Sequence, residues 1–169
     1  MMPDQKPGKS RQDYCSPDNF IAAVVNRFGP IAVDLAAKDE SVSRGKRFVS
    51  LKQDSLSVAV SWEELGQRHY ENRNGCLYLN PPFADIAPWM RKAWSYGHGF
   101  HPDRLPLVML VPASVGSNWF NQFVHGEALV LALNPRLTFK GETAAYPKDC
   151  LAIVWNYGVA AFDVWVWKS

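Results

Sequence analysis

The residues Asn80-Pro81-Pro82-Phe83 carry the most specific chemistry in this sequence. They follow Cys76-Leu77-Tyr78-Leu79, a short apolar run typical of a strand buried on both faces of a parallel sheet. Proline fixes its own backbone and favours an extended conformation in the residue before it, so the proline pair forms a stiff corner. In open α/β sheets, ligands bind at the carboxyl ends of the strands. The sequence therefore predicts a binding corner at residues 80–83.

This corner offers hydrogen-bond acceptors and an aromatic face. The acceptors are the side-chain carbonyl of Asn80 and the backbone carbonyl of Pro81, and neither proline has an N–H. Two acceptors can hold both hydrogens of an amino group on a planar ring, while Phe83 lies against the face of that ring. An amine held in this way has its lone pair freed from the ring and ready to attack an electrophile. The pattern indicates modification of a planar amine without a metal ion.

Composition places these residues in a compact globular protein. A chain of 169 residues with 47% hydrophobic residues is typical of one domain with a buried core. The net charge is only +2, so any contact with nucleic acid must come from local basic clusters. No apolar run is long enough to span a membrane and no secretory signal is visible. We therefore expect a soluble, cytoplasmic protein, and no obligate protein partner is evident.

The cysteines and histidines do not predict a metal site. The three cysteines, Cys15, Cys76 and Cys150, are far apart and form no CxxC pair, which favours reduced thiols over disulfides or zinc ligands. His98 and His101 lie in one loop, but no third ligand accompanies them. We expect the chemistry of the corner to proceed without metal.

The elements that position the corner follow from the apolar pattern. Residues 1–12 are polar and basic, which predicts a flexible arm before a single domain over residues 13–169. Apolar residues at helical spacing predict a helix over residues 20–28, with Ser16 as its N-cap and Pro17 at its first position.

Seven strands are predicted in a Rossmann-like α/β fold. Interleaved helices indicate right-handed crossovers and a mostly parallel sheet. Only about 40 residues separate the first strand from the third, so the early crossovers must be short. The last two strands are joined by a short connection and the final one alternates, which predicts a C-terminal antiparallel hairpin. The expected strands lie near residues 31–34, 47–50, 76–79, 107–111, 128–133, 150–155 and 162–167.

Asn-Pro-Pro followed by an aromatic residue resembles the catalytic motif of S-adenosylmethionine-dependent amino methyltransferases. Over roughly residues 12–167, the chain resembles the small phage and prophage Dam-like DNA N6-adenine methyltransferases. The resemblance implies a single-domain methyltransferase fold and transfer of a methyl group from S-adenosyl-L-methionine to N6 of adenine in double-stranded DNA. It also implies that the adenine is flipped out of the duplex, and that the enzyme belongs to a restriction-modification or similar setting.

The same resemblance suggests which residues hold the cofactor. It places Ser16 and Pro17 near the methionine end, Asp34 and Ala36 in the first cofactor motif, and Asp54 against the adenine amine. Glycines usual in the first motif of the wider superfamily are replaced here by Ala36 and its neighbour. Each of these residues has an ordinary structural alternative, such as a capped helix or a turn.

The resemblance also suggests contacts to the substrate. It places Phe139 against the flipped base and Arg136 near a phosphate, although Phe139 could equally fill a core edge. The basic cluster Arg44, Lys46 and Arg47 could follow a phosphate backbone, with a solvated loop as the alternative. With no room for a separate recognition domain, sequence readout is expected from the loops near residues 38–47, 97–106 and 140–149.

Two other functions fit the same residues. A related amino methyltransferase would act on an RNA base or on a glutamine side chain of a protein. A non-catalytic nucleic-acid-binding protein with the same fold would not bind S-adenosylmethionine at all.

Overall fold

The computed structural model of the chain describes residues 14–67 and 74–168, so the predicted arm over residues 1–12 lies outside the described residues. The described residues form one seven-stranded sheet, as the sequence predicts. The strands, numbered in chain order, are β1 (Ile31–Ala37), β2 (Arg47–Ser50), β3 (Cys76–Leu79), β4 (Leu107–Pro112), β5 (Leu129–Asn134), β6 (Cys150–Trp155) and β7 (Ala161–Val166).

Four α-helices accompany the sheet within these ranges. They are α1 (Asp18–Phe28), α2 (Trp62–Leu65), α3 (Ala87–Gly97) and α4 (Asn118–Phe123), and short 3-10 turns occupy Glu40–Val42 and Leu51–Gln53. The N-cap of α1 is Pro17 and its side chain makes no capping bond, so the prediction that Ser16 caps this helix was wrong by one residue. The Ser16 side chain instead bonds within the site described below.

The sheet is mixed, with the order β2-β1-β3-β4-β6-β5-β7. Strand β6 lies between β4 and β5 and is antiparallel to both, whereas β7 runs parallel to β5 at the sheet edge. The prediction of a mostly parallel sheet with a C-terminal hairpin was therefore wrong. Strands β6 and β7 are separated by β5, a distance of about 10 Å at the usual strand spacing. A connection of a few extended residues covers that distance as easily as it closes a hairpin.

Two apolar clusters flank the sheet and form the core. On one face, Phe20 and Phe28 of α1 pack with Tyr78 and Trp165. On the other face, helices α2, α3 and α4 contribute residues that include Trp62 to a second cluster. The alternation of β7 follows from this arrangement, because Trp165 lies under α1 while Phe162 and its neighbours on the opposite face are exposed. Within the described residues, no helix is long and apolar enough to cross a membrane.

The early crossovers are short, as predicted. Between β1 and β3 the described residues contain one α-helix, the four-residue α2. The return from β1 to β2 is held by the buried carboxylate of Asp34, which accepts the backbone N–H groups of Ala36 at 3.1 Å and Arg44 at 2.9 Å. A Cβ on Gly45 would lie 2.6 Å from the backbone nitrogen of Asp34, so only glycine fits where this loop passes the strand.

The loop over residues 97–106 lies away from the corner at residues 80–83. It joins the end of α3 to the start of β4, which places it at the amino edge of the parallel strands, whereas residues 80–83 leave the carboxyl edge. Asn156 anchors this loop, accepting the N–H of His101 at 2.6 Å and donating to the carbonyl of Arg104 at 2.9 Å. This position does not favour the expectation that the loop reads the substrate, which stays a prediction. The loops near residues 38–47 and 140–149 do begin or end at the carboxyl edge.

We expect Gly97→Ala to lower the free energy of unfolding by about 1–3 kcal/mol, the usual cost of forcing an extra group into a packed core. A Cβ at residue 97 would lie 2.5 Å from the Cβ of Trp155 and 2.9 Å from the backbone nitrogen of Asn156. Urea unfolding measures the change. Gly116→Ala is the matched control, since a Cβ there meets nothing within 4 Å of the described residues. Equal stability of the two variants would contradict the packing of α3 on β6.

Candidate active site

The Asn80 side chain is fixed in one orientation at the carboxyl end of β3. Its Nδ2 donates to the backbone carbonyl of Tyr14 at 2.6 Å and to the hydroxyl oxygen of Ser16 at 3.2 Å. A carbonyl oxygen only accepts, so the amide must turn its NH2 toward Tyr14 and its Oδ1 the other way. That Oδ1 is buried and has no hydrogen-bond partner among the described residues. Asn80 thus presents a desolvated acceptor, which is costly unless something binds it.

Ser16 and Tyr78 extend this network into the core. The Ser16 hydroxyl lies 2.6 Å from the phenol oxygen of Tyr78, a residue buried within the sheet. Burial raises the pKa of Tyr78 well above its usual value, so the phenol stays protonated and its hydroxyl remains a hydrogen-bond group. The orientation of Asn80 is therefore connected to the packed core through two hydroxyl groups.

Residues 14–18, which we call the N-terminal strap, lie across the carboxyl end of β3. The carbonyl of Cys15 accepts the backbone N–H of Lys140 at 2.9 Å. The Arg44 guanidinium donates to the Ser16 carbonyl and to the Asp18 carboxylate, the latter at 2.6 Å. This hydrogen bond lowers the pKa of the Asp18 carboxyl group. The strap is thus held by the loops that follow β1 and β5.

Four aromatic rings gather beside Asn80. Tyr14 and Phe83 are stacked with centroids 5.9 Å apart, and Tyr14 and Phe139 lie 4.9 Å apart. Tyr146 closes the group, at 5.4 Å from Tyr14 and 5.3 Å from Phe139. The structure therefore brings Phe83 and Phe139, which are far apart in sequence, to the same place. It also adds Tyr14 and Tyr146, which sequence reasoning did not identify.

Three of the predicted cofactor residues lie in β1 or just after β2, namely Asp34, Ala36 and Asp54, whereas Ser16 and Pro17 lie on the strap. Asp34 is buried, and this burial raises the pKa of its carboxyl group, while the N–H groups of Arg44 and Ala36 oppose the shift. Asp54 follows β2 with an exposed side chain and a φ of 49°, and its carboxylate accepts the N–H of Leu56 at 3.1 Å. A left-handed backbone at a non-glycine residue is uncommon and is held here by the surrounding turn.

A lysine that sequence reasoning missed holds the loop after Asp54. The Lys92 ammonium group, on α3, lies 5.1 Å from the ring centre of Trp62. Burial lowers the pKa of Lys92. The Lys92 ammonium group donates hydrogen bonds to loop carbonyls that face inward and that would otherwise lack a donor. Those acceptors are the backbone carbonyls of Ser55, Ser57 and Val60, at 2.7, 2.9 and 2.8 Å.

The predicted basic residues are dispersed. Arg44 lies at the corner, but its guanidinium contacts the strap. Arg47 begins β2, at the opposite end of that strand from Asp54, and approaches the Leu65 carbonyl at 3.4 Å. Arg136 is exposed and pairs with Asp149 at 2.7 Å. Lys46 immediately precedes β2. Contact of these side chains with a substrate phosphate stays a prediction.

The mixed seven-stranded α/β sheet, with the Asn-Pro-Pro-Phe corner at the carboxyl end of β3, is consistent with a methyltransferase-like fold. Residues 4–154 match the profile of a family described as DNA N-6-adenine-methyltransferase (Dam), and the chain belongs to this family. The family resemblance inferred from the sequence is thereby confirmed. A search among curated proteins gives no match. Within residues 14–67 and 74–168, no three histidine, cysteine or acidic side chains are grouped so that they could hold a metal ion.

We expect one thiol of the folded protein to react with iodoacetamide at pH 8. Burial raises the pKa of both Cys76 and Cys150 to about 12, so these thiols are protonated as well as inaccessible. Cys15 is half-buried on the strap. Mass spectrometry of peptides from briefly labelled protein locates the adduct. Equal labelling of Cys76 would contradict the burial of β3, and labelling in urea, where all three thiols react, is the control.

Proposed function

We propose that this protein transfers a methyl group from S-adenosyl-L-methionine to N6 of adenine in double-stranded DNA. The observation that carries the proposal is the orientation of Asn80, whose NH2 is bound to Tyr14 and Ser16 and whose buried Oδ1 lacks a partner in the described part of the chain. Such an oxygen can accept a hydrogen bond from an incoming amine without first breaking a hydrogen bond to another group. Family membership supports the identity of the substrate.

The corner acts by holding the amine rather than by exchanging protons with it. Oδ1 of Asn80 and the carbonyl of Pro81 accept the two N6 hydrogens, and the ring of Phe83 lies on the face of the adenine. This arrangement favours a more tetrahedral nitrogen, whose lone pair points toward the reaction partner. N6 is paired inside a duplex, so the adenine must be flipped out to reach these groups. S-adenosylmethionine, when bound, supplies the electrophilic methyl group.

The cofactor would be held by residues from three neighbouring segments. Asp54 has an exposed carboxylate suited to an amino group on the cofactor, and Lys92 keeps the loop behind it in place. The Asp34 carboxylate already accepts two backbone N–H groups, so its proposed role is to fix the backbone around Ala36 and Arg44. Ser16 and Pro17 at the start of α1 complete the predicted set, Ser16 through its backbone, because its hydroxyl already bonds Asn80 and Tyr78. This set would suit a cofactor with both an amine-bearing ring and a charged end.

DNA would lie across the carboxyl edge of the sheet. Arg136 is the proposed phosphate contact there, and affinity for DNA should then fall with added salt. Arg44 is engaged with the strap, and Lys46 and Arg47 lie at the amino end of β2, so the proposal assigns them no phosphate at this edge. The loops near residues 38–47 and 140–149 are the proposed readers of sequence, because they flank Asn80 at this edge.

Asn80→Ala should reduce methyl transfer by roughly 10²–10³-fold, as expected for loss of one prepositioned acceptor. The assay incubates unmethylated duplex DNA with labelled S-adenosylmethionine and identifies the methylated nucleoside. S-adenosylhomocysteine binding, measured by calorimetry, should be nearly unchanged, and the surface variant Asn26→Ala should retain full activity.

Three outcomes would contradict the proposal. Full activity of Asn80→Ala would exclude this residue from the chemistry. Label on RNA or on protein glutamine, with none on DNA, would favour the related amino methyltransferases. The absence of cofactor binding by the unaltered protein would favour a non-catalytic nucleic-acid-binding protein.

A further inference from the structure

Tyr14 contacts Asn80 through its backbone and Phe83 through its ring. Its backbone carbonyl is 2.6 Å from Asn80 Nδ2, and its ring is nearly parallel to that of Phe83, with an angle of 29° between them. Phe139 lies against the same ring at 4.9 Å. A flat aromatic group therefore already occupies the neighbourhood in which the proposed function requires an adenine.

The rings leave no slot for a base in this arrangement. A base inserted between two parallel rings needs them about 7 Å apart, which is two contacts of about 3.5 Å. The centroids of Phe83 and Phe139 are 6.1 Å apart and their planes are inclined by 62°. Phe83 and Tyr146 are 6.0 Å apart at 60°. An adenine does not fit between these rings, and a base that stacks on the face of Phe83 covered by Tyr14 must displace that ring.

Tyr14 is the ring stacked on Phe83, and its side chain can move without dismantling the site. Phe139 is 2% exposed and belongs to the core cluster, and Phe83 directly follows the rigid proline pair. Tyr14 is only half-buried and lies outside any helix or strand. Its contact with Asn80 uses the backbone carbonyl, so the side chain can rotate about Cα–Cβ while the orientation of Asn80 is retained.

We propose that the Tyr14 ring occupies the base pocket in the absence of DNA and is displaced when the target adenine enters. The inference rests on the proposed function, since it concerns the same pocket. The ring keeps the pocket formed and dry, and the adenine replaces its contacts with Phe83 by contacts of the same kind. The side chain of Tyr14 thus determines the free energy needed for the base to enter, and its backbone carbonyl positions Asn80.

If the inference is right, removing the Tyr14 ring lowers the stability of the free protein but improves its apparent affinity for DNA. Tyr14→Ala removes the competing ring, so the KM for unmethylated duplex DNA should fall by roughly three- to tenfold, the factor expected for one aromatic contact. The melting temperature should fall as well, because the free protein loses that contact. Tyr14→Phe keeps the ring and is the matched control, with KM close to that of the unaltered protein. Tyr14→Leu serves if the alanine variant does not fold, as judged by S-adenosylhomocysteine binding.

The outcomes separate this inference from the proposed function. A higher KM in Tyr14→Ala or Tyr14→Leu would overturn it and make Tyr14 a stacking platform for the base. An unchanged KM with a lower melting temperature would also overturn it, because the ring would then be only part of the core. If the unaltered protein transfers no methyl group to DNA, the proposed function fails and the inference fails with it.

Discussion

The hydrogen bond from Asn80 Nδ2 to the Tyr14 carbonyl determines what this site can do. At 2.6 Å it leaves the amide a single orientation, and in that orientation Oδ1 is the acceptor that we propose for the amine. Asn80 comes from the end of β3 and Tyr14 from the segment before α1, residues 66 positions apart in the chain. The acceptor therefore exists only in the folded protein, where the strap lies across the sheet edge.

The rest of the structure keeps the strap in that position. Arg44 and Lys140 reach it from loops after β1 and β5, and both contact Asp18. Arg44 is itself placed by Asp34, which accepts its backbone N–H at the end of a short crossover. The short connection between β1 and β2 thus affects the site directly. It brings a basic side chain from the loop after β1 onto the segment that orients the Asn80 amide.

The sequence predicts the features that depend on local pattern. The proline pair predicts the corner at Asn80, and the apolar pattern, continuous in some strands and alternating in the last, predicts all seven strands. It does not predict the pairing of β6 and β7, because a short connection is compatible with adjacent strands and with strands one position apart. Nor does it identify Lys92 or Tyr14. Their roles come from contacts with backbone carbonyls and rings distant in sequence, and residue type gives no signal of such contacts. Whether the predicted cofactor and phosphate ligands act as proposed stays a prediction.

Ser16→Ala tests most directly whether the orientation of Asn80 produces activity. The measurement is the rate of methyl transfer at saturating DNA and cofactor, together with the Kd for S-adenosylhomocysteine. If Ser16 acts by holding Asn80, the rate should fall by about tenfold, the effect of one hydrogen bond of about 1.4 kcal/mol, with little change in Kd. An unchanged rate with a weakened Kd would contradict the account, because Ser16 would then serve the cofactor and the amide would be oriented without it.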